Sequence, residues 1–350
     1  MRTSRLRLDR IASSTRNARL EREVIVGDRI EAREGYVLAV RLLNDKSAYN
    51  RIEDPTGRMI RLHRGDVLAG TLGTRRALRG YAGTVPEKIA VGDRLHVLNL
   101  GGVLGCCTAE NPDLGPPFEA EVLGAVLSFP GTGDRVGVPA SIGAGAIPAA
   151  AHLRLEAPLV LVAGTCMNSG KTVAATEIVR GLFRAGRRVA AVKLTGVSLR
   201  RDTLAMTDAG AVAGLSFNDA GIVSTHDDDV LPAARGLLNH LAEEVSPDVV
   251  VAELGDGLLG EYGVGRLLED QELMARCRAL VVCAPDQVGA WGAIRLLTER
   301  FACRPTVLTG PVTDNQVGTT FVREHLGLPA HNARRDASGL VAVIRKALDD

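Results

Sequence analysis

The order of apolar and polar positions changes character partway along the chain. Up to residue 130 the apolar runs are short or alternating: Glu23–Ile25, Tyr36–Leu43, Met59–Leu62, Val67–Leu72 and Leu95–Leu100. Turn-forming pieces separate them, among them Gly27-Asp28, Asp54-Pro55-Thr56-Gly57, Gly65-Asp66 and Gly92-Asp93. Strands punctuated in this way predict a small β-rich domain, a barrel or a sandwich, over residues 1–130. Residues 131–157 are rich in glycine, alanine and proline and read as a linker. From residue 158 to 350, short apolar runs alternate with helical periodicity. Strands are predicted at Leu159–Ala163, Val189–Val192, Val249–Ala252, Leu280–Cys283 and Thr306–Leu308. Helices are predicted at Lys171–Arg184, Pro232–Glu244, Gly289–Arg300, Val322–Leu326 and Ala337–Leu348. Such alternation predicts an α/β domain with a doubly wound, mostly parallel sheet. Ligands of such sheets bind beyond the carboxyl ends of the strands.

One stretch, Pro158–Arg184, carries the chemistry. A buried-strand run is followed by Gly164-Thr165-Cys166-Met167-Asn168-Ser169-Gly170-Lys171-Thr172 and then by a helix with Ala174, Ala175, Ile178, Val179, Leu182 and Phe183 on one face. Strand, glycine-bounded loop ending Gly-Lys-Thr, and helix together form the context of a phosphate loop. Loop and helix-start N–H groups point at an anion there, and the helix dipole favours it. Lys171 is expected to reach the outer phosphates and the Thr172 hydroxyl to ligate Mg²⁺. The first glycine departs from the usual spacing: it lies at Gly164, one residue before the standard position, which Thr165 occupies.

Lysine usage sharpens this expectation. Of 42 lysines and arginines only five are lysine, and between residues 89 and 345 only Lys171 and Lys193 occur. A compact ammonium at the loop and another at the end of the next apolar run differ chemically from the arginines preferred elsewhere. A net charge of +1 gives no basic field for nucleic acid or an anionic membrane. No apolar run approaches the ~20 residues that span a bilayer. The six cysteines form no Cys-x-x-Cys pair and read as reduced thiols of a cytoplasmic protein. Gly131-Thr132-Gly133 lacks the third glycine and helix of a dinucleotide loop. Thr74–Gly80, with three arginines, reads either as a solvated turn or as a segment facing an anionic substrate or the other domain.

With these motifs in order, residues 158–350 resemble dethiobiotin synthetase and its relatives among the deviant phosphate-loop NTPases of the SIMIBI class. The resemblance rests on the displaced glycine and Gly164-Thr165 opening, on Lys193-Leu194-Thr195-Gly196, on Arg201-Asp202-Thr203-Leu204, and on Glu253-Leu254-Gly255-Asp256-Gly257 after an apolar run. It implies that Gly164, Thr165, Asn168, Ser169, Gly170, Lys171 and Thr172 cradle the phosphates. It implies Thr172, Asp202 and Glu253 as the Mg²⁺ set, and Lys171 and Lys193 as catalytic cations, with Lys193 facing the γ-phosphate and a substrate carboxylate. Read without it, Asp202 is a helix cap, Glu253 a strand-end acid, and His226-Asp227-Asp228-Asp229 a cap of the following helix or a metal-sensing switch. Cys166 stands where the family has an acid, Asp256 enters a glycine turn, and the β-rich domain is foreign to it.

The activity so implied is Mg²⁺–ATP-dependent activation of a small carboxylate or amine, of ligase or amidase type. Relatives include cobyrinate amidases, the GTP-binding adaptor of molybdenum-cofactor guanylylation, and a group with acyltransferase members. The alternatives are therefore a nucleotide-binding switch or adaptor in cofactor maturation, using GTP or ATP, and an acyltransferase holding coenzyme A. Absence of an Asn-Lys-x-Asp motif leans toward ATP. The expected partners are a nucleotide, a small-molecule substrate and a second copy of the chain.

Overall fold

The computed structural model describes residues 1–131, 133 and 136–350. Thr132, Asp134 and Arg135, within the expected linker and its Gly131-Thr132-Gly133 turn, lie outside the described residues. The architecture is mixed α/β: a parallel sheet with helices, and a separate β-rich region. Two compact units result. The first comprises Met1–Ile147 with Val197–Arg200 and Asn218–Ser224; the second comprises Pro148–Gly196, Arg201–Phe217 and Thr225–Asp350.

In chain order the strands of the first unit are β1 (Thr3–Arg7), β2 (Arg10–Ile11), β3 (Glu23–Gly27), β4 (Val37–Leu42), β5 (Arg51–Glu53), β6 (Met59–Arg61), β7 (Val67–Leu72), β8 (Ala82–Thr84), β9 (Arg94–Val97), β10 (Val103–Ala109), β11 (Phe118–Ser128) and β12 (Val138–Pro139). Strand β9 pairs with both β10 and β11, so the ladder β11-β4-β7-β10-β9 closes on itself as a small barrel. Closure removes the exposed edges that an open sheet would present. Alternation then sorts the side chains. Leu38, Val40, Leu68, Leu72, Leu95, Val97, Leu104 and Phe118 fill the interior. Val37, Ala39, Val67, Ala69 and Val103 face outward into a second cluster with Leu8, Val26, Tyr81, Leu98 and Ile142. Strand β11 continues beyond the ring to pair with β3 and with β12, which carries the unit's pairing past residue 130. Arg75 in the three-arginine segment is buried and donates to the carbonyls of Leu98 and Arg79, so it closes its own loop rather than facing solvent.

The second unit is built on a six-stranded parallel sheet. Its strands are β13 (Leu159–Gly164), β14 (Val189–Thr195), β15 (Ala213–Ser216), β16 (Val249–Leu254), β17 (Cys277–Cys283) and β18 (Val307–Thr309), in the spatial order β15-β14-β16-β13-β17-β18. The helices are α1 (Lys171–Arg184), α2 (Arg201–Asp208), α3 (Val230–Val245), α4 (Val264–Leu268), α5 (Gln271–Arg276), α6 (Gln287–Phe301), α7 (Gln316–His325) and α8 (Ala337–Asp349). Val160, Val162, Val189, Ala191, Val249 and Val251 pack with Ile178, Val179, Leu182, Met206, Leu340 and Ile344 of α1, α2 and α8. The alternate strand positions Leu159, Leu161, Ala190 and Val192 are equally buried, on the opposite face. A sheet covered on both faces accounts for the near-continuous apolar strands. Phe183, expected on the buried face of α1, is 52% exposed. Helix α7 starts at Gln316 rather than near Val322, because the Asn315 side chain caps the Gly318 N–H. Among the described residues no helix is long and apolar enough to cross a membrane.

Candidate functional site

The loop after β13 turns sharply. Asn168 and Gly170 both adopt positive φ, at 62° and 101°. Gly164 is required by contact: a Cβ there would lie 2.2 Å from Ser169 Oγ and 2.9 Å from Lys171 Cγ. The glycine one residue early is thus set by the loop folding back over its own strand end. The Thr165 N–H donates to the Cys283 carbonyl at 3.0 Å, tying the loop to β17. Ser169 is fully buried, and among the described residues its Oγ has no hydrogen-bond partner.

Lys171 opens α1 and is 7% exposed. Its Nζ donates to the Cys166 carbonyl at 2.8 Å and to the carbonyl of Asp256. Both partners are main-chain oxygens. The Asp256 turn is fastened on three sides. The Leu258 N–H reaches the Gly164 carbonyl at 2.9 Å, and the Thr195 hydroxyl donates to the Gly255 carbonyl. A Cβ on Gly257 would lie 2.6 Å from the Thr165 carbonyl, so only glycine admits this approach. Asp256 as the carbonyl partner of Lys171, and Thr195 as the fastener of its turn, are additions to the expected residues. The Gly-Asp-Gly pattern signalled the turn but not the partner of its carbonyl.

Parallel register brings the charged group together. Lys193 of β14 and Glu253 of β16 are register partners, so their side chains leave the same face at the strand ends. Asp202 comes from the first turn of α2. The Thr172 hydroxyl lies 3.2 Å from Asp202 Oδ1 and 3.2 Å from Glu253 Oε1. Lys193 Nζ forms an ion pair with Asp202 Oδ2, and both side chains are about nine-tenths buried, at 9% and 10% exposure. Glu253 is 2% exposed, and among the described residues its Oε2 has no hydrogen-bond partner.

The protonation of the three groups follows from these neighbours. Burial, then the nearby Asp202 charge, pushes the Glu253 carboxyl up to about 7, against the pull of Lys193 and Lys171. Burial also opposes the charge on Asp202, but Lys193 outweighs it and holds that carboxyl below its ordinary range. Burial likewise opposes the charge on Lys193, and Asp202 and Glu253 raise its pKa above the ordinary lysine value. The resting state is an ionised Lys193–Asp202 pair beside a Glu253 that ionises near neutrality.

This donor set fits a hard divalent cation in part. It offers a hydroxyl and two carboxylates, with one buried carboxylate oxygen lacking a partner, and oxygen ligands suit Mg²⁺. Among the described residues no group of three or more His, Cys, Asp and Glu could hold a metal by itself. A cation here would complete its shell from phosphate oxygens and water, as Mg²⁺ commonly does. His226-Asp227-Asp228-Asp229 stands apart from this set: the Asp229 carboxylate accepts the His226 N–H at 2.9 Å, ahead of α3.

No family model matches this chain. No curated protein matches it either. Among solved structures it is similar to a DUF1611 family protein from Anabaena variabilis, at 14% identity over 57% of this chain, with a TM-score of 0.40. That similarity spans 63% of the other protein's length. It is also similar to the cell division protein FtsY of Thermotoga maritima, at 16% identity, over 57% of this chain and 71% of that one, with a TM-score of 0.37. A signal recognition particle receptor FtsY from Elizabethkingia anophelis gives 13% identity over 57% and 68% of the two chains, with a TM-score of 0.39. At TM-scores of 0.40 or lower none of these likenesses bears on the chemistry, which rests on the chain's own side chains.

Proposed function

We propose that the second unit is a doubly wound phosphate-loop domain that binds Mg²⁺–nucleotide, ATP in preference to GTP, and transfers a phosphoryl group to a small carboxylate or amine. The observation that carries this reading is the Thr172 hydroxyl lying between two buried carboxylates, one with an oxygen lacking a partner, directly after the Gly170-Lys171 turn. In this reading Lys171 exchanges the Cys166 and Asp256 carbonyls for phosphate oxygens. Thr172, Asp202 and Glu253 hold the cation, which neutralises phosphate charge when bound. Asp202 keeps Lys193 charged and aimed along the mouth, where its ammonium meets the transferring group. Most of the rate enhancement then comes from positioning and charge stabilisation. Ligase-type chemistry is what the resemblance to dethiobiotin synthetase adds to this reading.

Calorimetry with ATP tests the binding step. Lys171→Ala is expected to lose a charge-assisted contact of about 1.5–3 kcal/mol while keeping the fold. Equal Mg²⁺–ATP affinity in Lys171→Ala and wild type would sink the reading.

A second reading, a nucleotide-driven switch, is favoured by one observation: the Asp256 turn is held by the very lysine that phosphate would recruit. Lys193 separates the two. In an enzyme, Lys193→Arg is expected to bind nucleotide nearly normally and to turn over about 10-fold more slowly, roughly 1.4 kcal/mol of transition-state stabilisation. Unchanged turnover in both Lys193→Arg and Lys193→Ala would favour the switch.

A further inference from the structure

Three cations of the second unit stand near Thr172 and Asp202, and they differ in what can reach them. Lys171 is 7% exposed, and its Nζ is taken up by the Cys166 and Asp256 carbonyls. Lys193 is 9% exposed and paired with Asp202 Oδ2. Arg201, the first residue of α2, is 61% exposed. Its Nε lies 3.8 Å from Asp202 Oδ1, the same oxygen that lies 3.2 Å from the Thr172 hydroxyl. The guanidinium and Thr172 thus share one oxygen of the carboxylate whose other oxygen holds Lys193.

Helix stability does not account for an arginine here. A cation in the first turn meets the positive end of the helix dipole and is unfavourable. It also brings a second positive charge to a carboxylate that Lys193 already neutralises. Burial opposes the charge on Asp202, Lys193 outweighs it, and Arg201 adds to the same pull. The Arg201–Asp202 ion pair is long and lies on the solvent side, and exposed pairs contribute little. An incoming anion can therefore take over the guanidinium at small cost. What the guanidinium offers is a planar fork of N–H donors that matches a carboxylate through two parallel bonds. Lys193 cannot offer this, being buried and bound to Asp202.

We propose that Arg201 is a specificity-determining residue that binds the carboxylate of a small carboxylic-acid substrate beside the Lys193–Asp202 pair. This role rests on the nucleotide reading of the site and narrows its substrate from a carboxylate or amine to a carboxylate. A protonated amine entering by the same route would meet the Arg201 charge first, and that charge repels it.

Calorimetry on the full chain tests this, with the protein saturated with Mg²⁺ and the β,γ-imido analogue of ATP so that no turnover occurs. The probes are acetate, succinate and glutarate, with the diamine putrescine for comparison. The wild type is expected to bind at least one of the carboxylates and not the diamine. Arg201→Ala is expected to weaken carboxylate binding about 10- to 150-fold, the worth of a charge-assisted hydrogen bond. Arg201→Lys, which keeps the charge and loses the fork, is expected to fall between the two. Both variants are expected to keep the wild-type affinity for the Mg²⁺-bound analogue, which separates a substrate contact from a phosphate contact. Equal carboxylate affinity in Arg201→Ala and wild type, or no binding of any of the three carboxylates by the wild type, would overturn the proposal. So would a loss of analogue affinity in Arg201→Ala, which would make the guanidinium a phosphate contact or a structural support. If the wild type binds no analogue, the nucleotide reading fails, and carboxylate titration of the nucleotide-free chain and of the same two variants then decides what Arg201 holds.

Discussion

Replacing Asp202 by alanine is expected to destabilise the second unit by about 3 kcal/mol, the lower end of the cost of breaking a buried ion pair. The Lys193 side chain is 9% exposed and paired with Asp202, so the substitution strands a largely buried charge. The cost stays at the lower end because Glu253 stands beside Lys193 and can ionise in place of Asp202. Removing both charges tells a different story from removing one. Asp202→Ala combined with Lys193→Met is expected to be more stable than Asp202→Ala alone, since a thioether stem of similar length fills the strand end without needing a counter-charge. Urea unfolding of the four proteins measures this. Simple additivity of the two single substitutions would show that Lys193 and Asp202 do not interact in solution as they do in the structure.

The nucleotide-free protein is expected to lose stability as pH rises from about 5 to 8, and Glu253→Gln to remove most of that loss. Glu253 binds its proton more tightly in the folded chain, where its pKa is about 7, than at the ordinary glutamate value of 4.5. Its contribution is therefore complete below 4.5 and lost as pH rises through about 7. The shift corresponds to roughly 3 kcal/mol, at 1.36 kcal/mol per unit. The groups facing it are Asp202 from α2, Lys193 from β14, Lys171 and Thr172 from α1, and the Cys283 thiol of β17. Asp202 works in the opposite direction and outside this window: its depressed pKa contributes stability above the ordinary 3.8, lost only as pH falls through a lower value. Cys283 is pushed up to about 12 by burial and stays protonated throughout. Melting temperature measured at intervals between pH 5 and 8 gives the answer. A flat wild-type profile, or an identical slope in Glu253→Gln, would show that Glu253 does not hold its proton in the folded state.

The strand, glycine-bounded loop and helix of residues 158 to 184 were legible because everything that makes them is local. Gly164, Gly170, Lys171 and Thr172 lie within nine positions, and their strand and helix declare themselves by periodicity. The central strands β13, β14, β16 and β17 were legible for a related reason, since burial on both faces leaves an uninterrupted apolar run. Elements whose signal is weak or mixed were not. Strand β11 alternates buried Phe118, Ala120 and Val122 with Glu119 and Glu121, so it shows no uninterrupted apolar run. Strand β15 is only four residues, Ala213–Ser216, too short to show a period, and parallel pairing with β14 defines it. Helix α7 had a readable start in Asn315, whereas the exposure of Phe183 depends on what α1 meets and not on its own period.

The candidate site divides along the same line. Residue types and their order singled out Thr172, Lys193, Asp202 and Glu253, because ammonium, hydroxyl and carboxylate chemistry at strand ends is specific. Sequence order does not say which of them touch. That Lys193 pairs with Asp202, that Thr172 spans both acids, and that Glu253 Oε2 is left without a partner are outcomes of strand register and of where α2 begins. Local sequence determines the kind of chemistry a segment can do, since bonding along the chain limits which groups can be near one another. Long-range pairing decides charge state and position, because desolvation and Coulomb interactions depend on distance through space and not along the chain.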